Sequence, residues 1–170
     1  YTYRDLTNDI PSIADHWKSL DLKFDAVATG YLGSFEQIKM VSDFFDKFKT
    51  DDNLIIVDPV MGDKGHFYAG FTEDFALEMK KLCSKADVIV PNLTEAAQLL
   101  DEDYIDGGYD EEYIKNLLIR LSNLGSKIVV LTGVSFDDNS QGVMSYNRET
   151  GEFSSYFNEN IPGYFHSTGD

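Results

Sequence analysis

Two carboxylates follow an apolar run in the middle of the chain. The β-branched segment Ile55–Val57 leads directly into Asp58 and Pro59, and Asp63 follows five residues after Asp58. An apolar run that stops at a polar residue and a proline is typical of a buried strand that ends in a loop. Two carboxylates at such a strand end suit a divalent cation or a proton transfer, and an ordinary aspartate turn remains the alternative.

A second polar group follows another apolar run, at Asn92 and Glu95. The pattern Asn92-Leu93-Thr94-Glu95 has the form of a capping box, in which the first residue caps a helix and the fourth reaches back to it. Glu95 could equally hold metal-bound water at this strand end. The residues alone leave both interpretations open.

A tyrosine with glycines close on both sides is the third candidate. Tyr31 follows an apolar run and lies between Gly30 and Gly33. Aromatic side chains are more often part of a core, but a loop tyrosine in this setting can lie open and stack on a flat ligand. Tyr31 is therefore a candidate for binding a ring.

Hydrophobic periodicity predicts the strands and helices that must position these residues. We expect strands at 24–29, 54–57, 87–90 and 127–132, helices at 9–20, 34–49, 72–82, 94–100 and 110–125, and a hairpin of strands 142–147 and 152–157. The first strand is expected to be buried, and Asn8 or Asp9 to cap the first helix. This order predicts a mostly parallel sheet with helices on both faces.

Right-handed crossovers place the carboxyl ends of such parallel strands at one edge of the sheet, where ligands bind. The groups that the four strand ends would deliver are Thr29 to Tyr31, Asp58 with Asp63, Asn92 with Glu95, and Thr132 with Gly133. Neither a G-x-x-x-x-G-K-[ST] phosphate loop nor a G-x-G-x-x-G motif occurs, so a nucleotide would have to be held in another way.

Composition limits the classes of function. The 170 residues fit one domain, and 30 acidic against 14 basic residues give a net charge of −16. This charge argues against nucleic-acid or anionic-membrane partners, which need a positive surface. The single cysteine, Cys83, excludes an internal disulfide and a cysteine-based zinc site and fits a cytoplasmic location. No apolar stretch approaches the roughly 20 residues that span a bilayer.

Five segments, in order along the chain, resemble the pyridoxal/pyridoxine (vitamin B6) kinase family of the ribokinase-like superfamily. They are Thr29–Ser34, Asp58–Asp63 with Tyr68 beyond it, Pro91–Ala96, Val130–Gly133 and Thr168–Asp170. The resemblance implies a three-layer α/β/α, Rossmann-like fold with an added β-hairpin. It also implies ATP-dependent phosphorylation of the 5′-hydroxymethyl group of pyridoxal, pyridoxine or pyridoxamine.

The resemblance further implies a role for each candidate residue. Asp170 would be the general base, and Tyr31 would pack against the pyridine ring of the substrate. The residues on the ATP and phosphate side would be Asp58, Asp63, Tyr68, Asn92, Glu95, Thr132, Gly133, Thr168 and Gly169. Among them, Asp58, Asp63 and Glu95 would hold Mg²⁺, largely through water. The loop from Lys64 to Tyr68 would form part of a lid.

Other features of the resemblance set its limits. Ser167 stands where the family usually has glycine, which would strain a phosphate-binding turn. Residues 1–170 would be one kinase domain that is incomplete at both ends and inactive as it stands. The full-length protein would be a homodimer and could require a monovalent cation. The alternatives are a kinase for hydroxymethylpyrimidine or another small molecule, against which Asp170 argues because many of these relatives carry cysteine there, or a non-catalytic relative.

Overall fold

A six-stranded mixed sheet forms the centre of the computed structural model, which describes residues 4–161. In chain order the elements are α1 (Ile10–Ser19), β1 (Ala26–Thr29), α2 (Phe35–Phe48), β2 (Leu54–Val57), β3 (Gly62–Asp63), β4 (His66–Phe67), α3 (Glu73–Cys83), β5 (Val88–Ile89), α4 (Leu93–Leu100), α5 (Glu111–Ser122), β6 (Ile128–Asp137), β7 (Ser140–Asn147) and β8 (Glu152–Glu159). The sheet order is β1-β2-β5-β6-β7-β8. Strands β1, β2, β5 and β6 are parallel, and the hairpin β7–β8 continues the sheet in antiparallel fashion.

This arrangement confirms the predicted α/β class, the mostly parallel sheet and the added hairpin. The helices begin where short polar side chains cap them. Ser34 accepts a hydrogen bond from Gln37 N at 3.1 Å, and Asp110 accepts one from Tyr113 N at 2.8 Å. The predicted cap of α1 is wrong, because Asp9 makes no side-chain hydrogen bond to the helix, which begins instead from a short 3₁₀ turn ahead of Pro11.

Alternate strand residues differ sharply in burial. Ile55, Val57 and Ile89 are completely buried, whereas Leu54, on the other face of β2, is 47% exposed. Helices α1 to α5 pack in succession on one another, and the core lies between them and the buried face of the sheet. Within residues 4–161, none of the helices has the length and apolarity needed to cross a membrane.

The expectation that the first strand is buried is wrong. Ala26 and Ala28 of β1 are exposed, and the other two residues of the strand are only partly buried. Among the described residues β1 pairs with β2 alone, so it forms an edge of the sheet. An apolar run of this length cannot by itself distinguish an edge strand from a central one.

Two further boundaries differ from the sequence prediction. Strand β6 does not end at Gly133 but continues to Asp137, because the antiparallel partner β7 supports it beyond a β-bulge at this glycine. The segment after Asp58, predicted as a loop, contains the small antiparallel hairpin β3–β4, in which Gly62 pairs with Phe67 and Asp63 with His66. Two-residue strands have too little periodicity to be seen in a sequence.

An ion pair fixes the amino-terminal ends of β2 and β5. Asp87 is 8% exposed and accepts hydrogen bonds from Lys49 Nζ at 2.5 Å and from Ile55 N at 2.8 Å. Burial acts to raise the pKa of Asp87, but these two hydrogen bonds and the charges of Lys49 and Lys127 together outweigh it and hold the pKa below its ordinary value. The pair therefore anchors the sheet at the edge opposite the candidate site.

Candidate active site at the carboxyl edge of the sheet

The carboxyl ends of the parallel strands bring four of the candidate segments to one edge. Asp58 N donates to Thr29 O at 3.1 Å, which ties the end of β2 to the end of β1. Thr132 N donates to Pro91 O at 2.9 Å, and Thr132 forms an isolated parallel bridge with Asn92. The structure thus brings together the candidate residues that follow β1, β2 and β5 and those within β6, as the topology predicted.

Glu95 is the most enclosed acidic side chain of this edge. It is 3% exposed, and its two carboxylate oxygens accept hydrogen bonds from Met61 N at 3.1 Å and from Asn92 N at 2.9 Å. The Asn92 side chain accepts from Glu95 N at 2.9 Å, which completes the capping box of α4. The capping interpretation is therefore correct, and the same carboxylate also holds the loop after β2.

Two acidic groups influence each other here. Burial raises the pKa of Glu95 to about 7; the hydrogen bonds from Asn92 and Met61 oppose this rise, and the nearby charge of Asp58 adds to it. Burial also raises the pKa of Asp58 above its ordinary value. Two partly desolvated carboxylates that repel each other would be stabilised by a cation.

The hairpin β3–β4 is fastened to the first turn of α4. Asn92 Nδ2 donates to Gly62 O at 2.9 Å, and Gly65 N donates to Thr94 Oγ1 at 2.9 Å. Position 62 requires glycine because the backbone of β4 comes so close that a Cβ at this position would lie 2.3 Å from His66 O. These contacts fix the backbone on both sides of Asp63.

Asp63 itself lies at the surface. Its side chain is exposed, and Oδ1 accepts a hydrogen bond from Lys64 N at 2.8 Å. Tyr68, at the end of the predicted lid segment, is 45% exposed, and its backbone N donates to Met61 O at 2.9 Å. The predicted lid is thus anchored at both ends to the candidate site.

Tyr31 lies open at the end of β1. Its side chain is 60% exposed, so the alternative of a core residue is wrong. One face of the ring packs on Phe71, with ring centroids 5.6 Å apart, and its edge lies 3.3 Å from where a Cβ on Gly33 would be. The neighbouring Leu32 is buried and anchors the loop from below. The open ring can stack on a flat ligand.

On the far side of the edge, Gly133 has a φ of +72°, which forms the bulge in β6 after Thr132. Thr132 Oγ1 lies 3.4 Å from Pro91 O, to which it donates. Both residues lie next to Asn92 and so border the same edge as the acidic groups.

The carboxylates Asp58, Asp63 and Glu95 are the oxygen donors that this edge offers to Mg²⁺. Carboxylate oxygens suit Mg²⁺, which keeps several of its own waters. Among residues 4–161, no group of three or more histidine, cysteine or acidic side chains is close enough to hold a metal ion directly. Each Glu95 oxygen accepts one backbone hydrogen bond and keeps a second lone pair, so Glu95 fits an ion that is held through its waters. The assignment of Asp58, Asp63 and Glu95 to a metal stays a prediction.

The predicted residues at the end of the chain cannot be placed. Ser167, Thr168, Gly169 and Asp170 lie outside the described residues. Sequence reasoning also missed residues that shape the site, in particular Met61, which binds Glu95 through its backbone, and Thr94, which binds the hairpin. Thr94 had a signal, since it lies inside the capping-box motif, but a backbone amide such as that of Met61 leaves none.

Comparisons with known proteins show which family and which solved structures this chain is similar to. A family model described as phosphomethylpyrimidine kinase matches residues 10–170. A Bacteroides thetaiotaomicron protein classed as a phosphomethylpyrimidine kinase is 41% identical, with a TM-score of 0.94 over 99% of this chain and 58% of its own. Pyridoxal kinase from Lactobacillus plantarum is 30% identical, with a TM-score of 0.84 over 98% of this chain and 58% of its own.

Curated relatives are similar over smaller shares of their length. A chloroplastic thiamine biosynthetic bifunctional enzyme of Arabidopsis thaliana is 31% identical over 137 residues, which are 79% of this chain and 25% of the enzyme. A pyridoxal kinase of Vibrio campbellii is 43% identical over 84 residues, which are 46% of this chain and 28% of the kinase. The matched segments thus cover about a quarter of the length of these curated relatives.

Proposed function

We propose, from the premise that this chain belongs to the phosphomethylpyrimidine kinase family, that its protein transfers a phosphoryl group from ATP to the 5′-hydroxymethyl group of a B6 vitamer. The observation that carries the proposal is the shared strand edge. An open aromatic ring, Tyr31, lies at one side of it, and the acidic groups Asp58 and Glu95 lie at the other. A flat acceptor and a charged phosphate donor need these two environments side by side.

The acceptor would lie against Tyr31. Its ring is open on the side away from Phe71, so a pyridine ring can stack there. A crystal form with pyridoxal of the Bacteroides relative, 41% identical to this chain, supports a B6 vitamer as the acceptor. Pyridoxal, pyridoxine and pyridoxamine all present the hydroxymethyl group that would be phosphorylated.

The nucleotide would lie on the acidic side. Phosphoryl transfer depends mainly on positioning the phosphates and neutralising their charge. Bound Mg²⁺ would supply that neutralisation, and Asp58, Asp63 and Glu95 would hold it through water. Thr132 and Gly133 would line the nucleotide side. Asn92 holds the hairpin β3–β4 against the start of α4 through its hydrogen bond to Gly62 O. A Staphylococcus aureus pyridoxal kinase in complex with ADP, 26% identical, supports a nucleotide substrate.

The remaining roles rest on the sequence. Asp170 would accept the proton of the hydroxymethyl group, and Thr168 and Gly169 would bind the transferred phosphate. Tyr68 and the hairpin β3–β4 would cover the nucleotide, which excludes water from the reaction. A homodimer, a cytoplasmic location and a monovalent-cation requirement are proposed on the same basis.

A pyrimidine acceptor is the second candidate. The family description and the thiamine biosynthetic relative favour it. Hydroxymethylpyrimidine is also a flat ring that carries a hydroxymethyl group, so Tyr31 would suit it too. The aspartate at position 170 favours the B6 vitamer, and a non-catalytic relative is the third alternative.

The decisive experiment uses the protein expressed from its natural gene. We expect it to form pyridoxal 5′-phosphate from Mg·ATP and pyridoxal, which absorbance follows directly, and to phosphorylate hydroxymethylpyrimidine more slowly. Asp170→Asn should lose turnover and keep ATP binding, measured by calorimetry. Absence of product from all three B6 vitamers would refute the proposal, and turnover of the pyrimidine alone would replace it with the second candidate.

A further inference from the structure

The Tyr31 loop is joined to the start of the chain by a continuous series of hydrogen bonds. Gly33 N donates to Gln37 Oε1 at 2.6 Å, and Gln37 Nε2 donates to Thr7 Oγ1 at 2.7 Å. The Thr7 hydroxyl then donates to Asp5 Oδ1, to which Thr7 N also donates at 2.8 Å. The series links segments that lie about thirty residues apart.

The bonds of this series all point in one direction. The Gly33 amide donates to the Gln37 side chain, the Gln37 side chain donates to the Thr7 hydroxyl, and the Thr7 hydroxyl donates to the Asp5 carboxylate. Hydrogen bonds arranged in this way polarise and strengthen one another. Thr7 is 8% exposed, so the middle of the series is protected from water. Only one orientation of the Gln37 amide satisfies both neighbours, because Gly33 N is solely a donor.

The side chain of Gln37 is separate from the helix cap. The cap of α2 is the bond from Gln37 N to Ser34 Oγ, which uses only the Gln37 backbone. In a regular capping box, the fourth side chain would return to the backbone N of the cap itself. Here it reaches one residue further back, to Gly33, and also outward to Thr7. Removing the side chain therefore leaves the cap intact.

We propose that Gln37 is a positioning residue that holds the Tyr31 loop against the segment Asp5–Thr7 and thereby sets the affinity for the flat acceptor. The proposal rests on the proposed function, in which Tyr31 stacks on that acceptor. Gly33 lies against the tyrosine ring, and its backbone N donates a hydrogen bond to Gln37 Oε1. A loop released from this contact would populate the binding conformation less often, which weakens binding in proportion.

The phosphate side does not share this series of bonds. Asp58 and Glu95 are held by other backbone groups, from Thr29, Met61 and Asn92. Loss of the Gln37 side chain should therefore weaken binding of the acceptor and leave the handling of ATP unchanged. This separation distinguishes a positioning role from general destabilisation.

The test compares two substitutions in the protein expressed from its natural gene. Gln37→Leu removes the three side-chain hydrogen bonds, to Gly33, Thr7 and Asp5, and should raise the KM and Kd for pyridoxal about 3- to 10-fold, with kcat and the KM for ATP changed less than about twofold. Lys39→Leu, on the same helix, breaks only the exposed pair with Asp43 and should change none of these values. Equal effects of the two variants would overturn the proposal.

Gln37→Glu adds a second test. Its carboxylate can still accept from Gly33 N, but once ionised it cannot donate to Thr7 and faces Asp5, whose Oδ1 lies 3.5 Å from the present Nε2. Because an unperturbed glutamate loses its proton at about pH 4.3, the pyridoxal Kd of this variant, divided by that of the wild type, should rise as the pH increases from about 3.5 to about 6. A ratio independent of pH would contradict the donor role of the Gln37 amide.

Hydrogen exchange separates this proposal from the proposed function. The Gly33 amide should be protected in the wild type and lose protection in Gln37→Leu but not in Lys39→Leu. If the wild type phosphorylates pyridoxal and Gln37→Leu binds it unchanged, the proposal is wrong and the function stands. If the wild type phosphorylates no acceptor, the function falls, and unchanged exchange at Gly33 would overturn the positioning role independently.

Discussion

Replacing the buried Glu95 with glutamine should change how stability depends on pH. The pKa of Glu95 rises from its ordinary 4.5 to about 7 in the folded protein, mainly because of burial. Below pH 4.5 the group is protonated in both the folded and unfolded states and has no effect on the pH dependence. Between these values the unfolded state loses its proton first, so the free energy of unfolding falls as pH rises.

The size of the effect follows from the shift. At about 1.4 kcal/mol for each pH unit, the carboxyl of Glu95 lowers the free energy of unfolding by about 3 kcal/mol between pH 4.5 and pH 7.5. Glu95→Gln lacks this titration. It also leaves Met61 N or Asn92 N without an acceptor, a cost of about 1–3 kcal/mol that does not vary with pH. Relative to that of the wild type, the free energy of unfolding of the variant should therefore rise by about 3 kcal/mol between pH 4.5 and pH 7.5.

Urea unfolding from pH 4 to pH 8, followed by the fluorescence of the single tryptophan, Trp17, measures this difference. Glu36→Gln, at an exposed position in the first turn of α2, is the matched control. If the difference in free energy of unfolding between the wild type and Glu95→Gln stays constant to within about 1 kcal/mol over this range, burial does not raise the pKa of Glu95 to about 7. The conclusion that Glu95 is a strained buried acid would then be wrong.

Three further substitutions test the fold and the site. Gly62→Ala places a Cβ 2.3 Å from His66 O and should lower the free energy of unfolding by about 1–3 kcal/mol, measured by urea unfolding. Tyr31→Ala should weaken pyridoxal binding about 10-fold in calorimetry without lowering the melting temperature, because the ring is 60% exposed. Lys49→Met should destabilise the fold by about 1–3 kcal/mol in urea unfolding, because the buried Asp87 carboxylate loses its hydrogen-bonded cation and keeps only the more distant Lys127 Nζ, 3.9 Å away.

Each of these variants has a control. Gly30→Ala adds a Cβ with nothing within 4 Å. If Gly30→Ala lowered the free energy of unfolding as much as Gly62→Ala does, the close approach of His66 O would not be the cause. Tyr31→Phe keeps the ring and should bind as the wild type does; a loss equal to that of the alanine variant would point to the hydroxyl instead. Lys85→Met breaks a more exposed pair with Asp46, and an effect as large as that of Lys49→Met would contradict the role of burial.

The sequence predicted the site edge because chain order and strand polarity determine it. Parallel strands with right-handed crossovers must bring Asp58, Asn92 and Thr132 to the same side, whatever the details of packing. Glu95 shows the limit of motif reasoning, because the capping-box motif predicts one partner for a carboxylate that has two oxygens. In the structure, one oxygen completes the cap and the other holds Met61.

What the sequence could not supply was the set of partners distant along the chain. The pattern from Ser34 to Gln37 predicted a helix start, but nothing local indicates that the Gln37 side chain would bind Thr7. The exposure of β1 likewise depends on which strands lie beside it, and Ala26 and Ala28 suit an edge or a centre equally well. These features come from tertiary packing, which single-sequence periodicity does not record.

The fastening of α4 to the hairpin has a consequence for how the site opens. The backbone amides of Met61, Gly65 and Glu95 all donate to side chains of the cap and first turn of this helix. Fraying of that turn would release them at the same moment, so the acidic edge should open and close as one cooperative unit. A ligand that bridges the hairpin and the helix would slow the exchange of all three amides by the same factor, well beyond the residues that it touches.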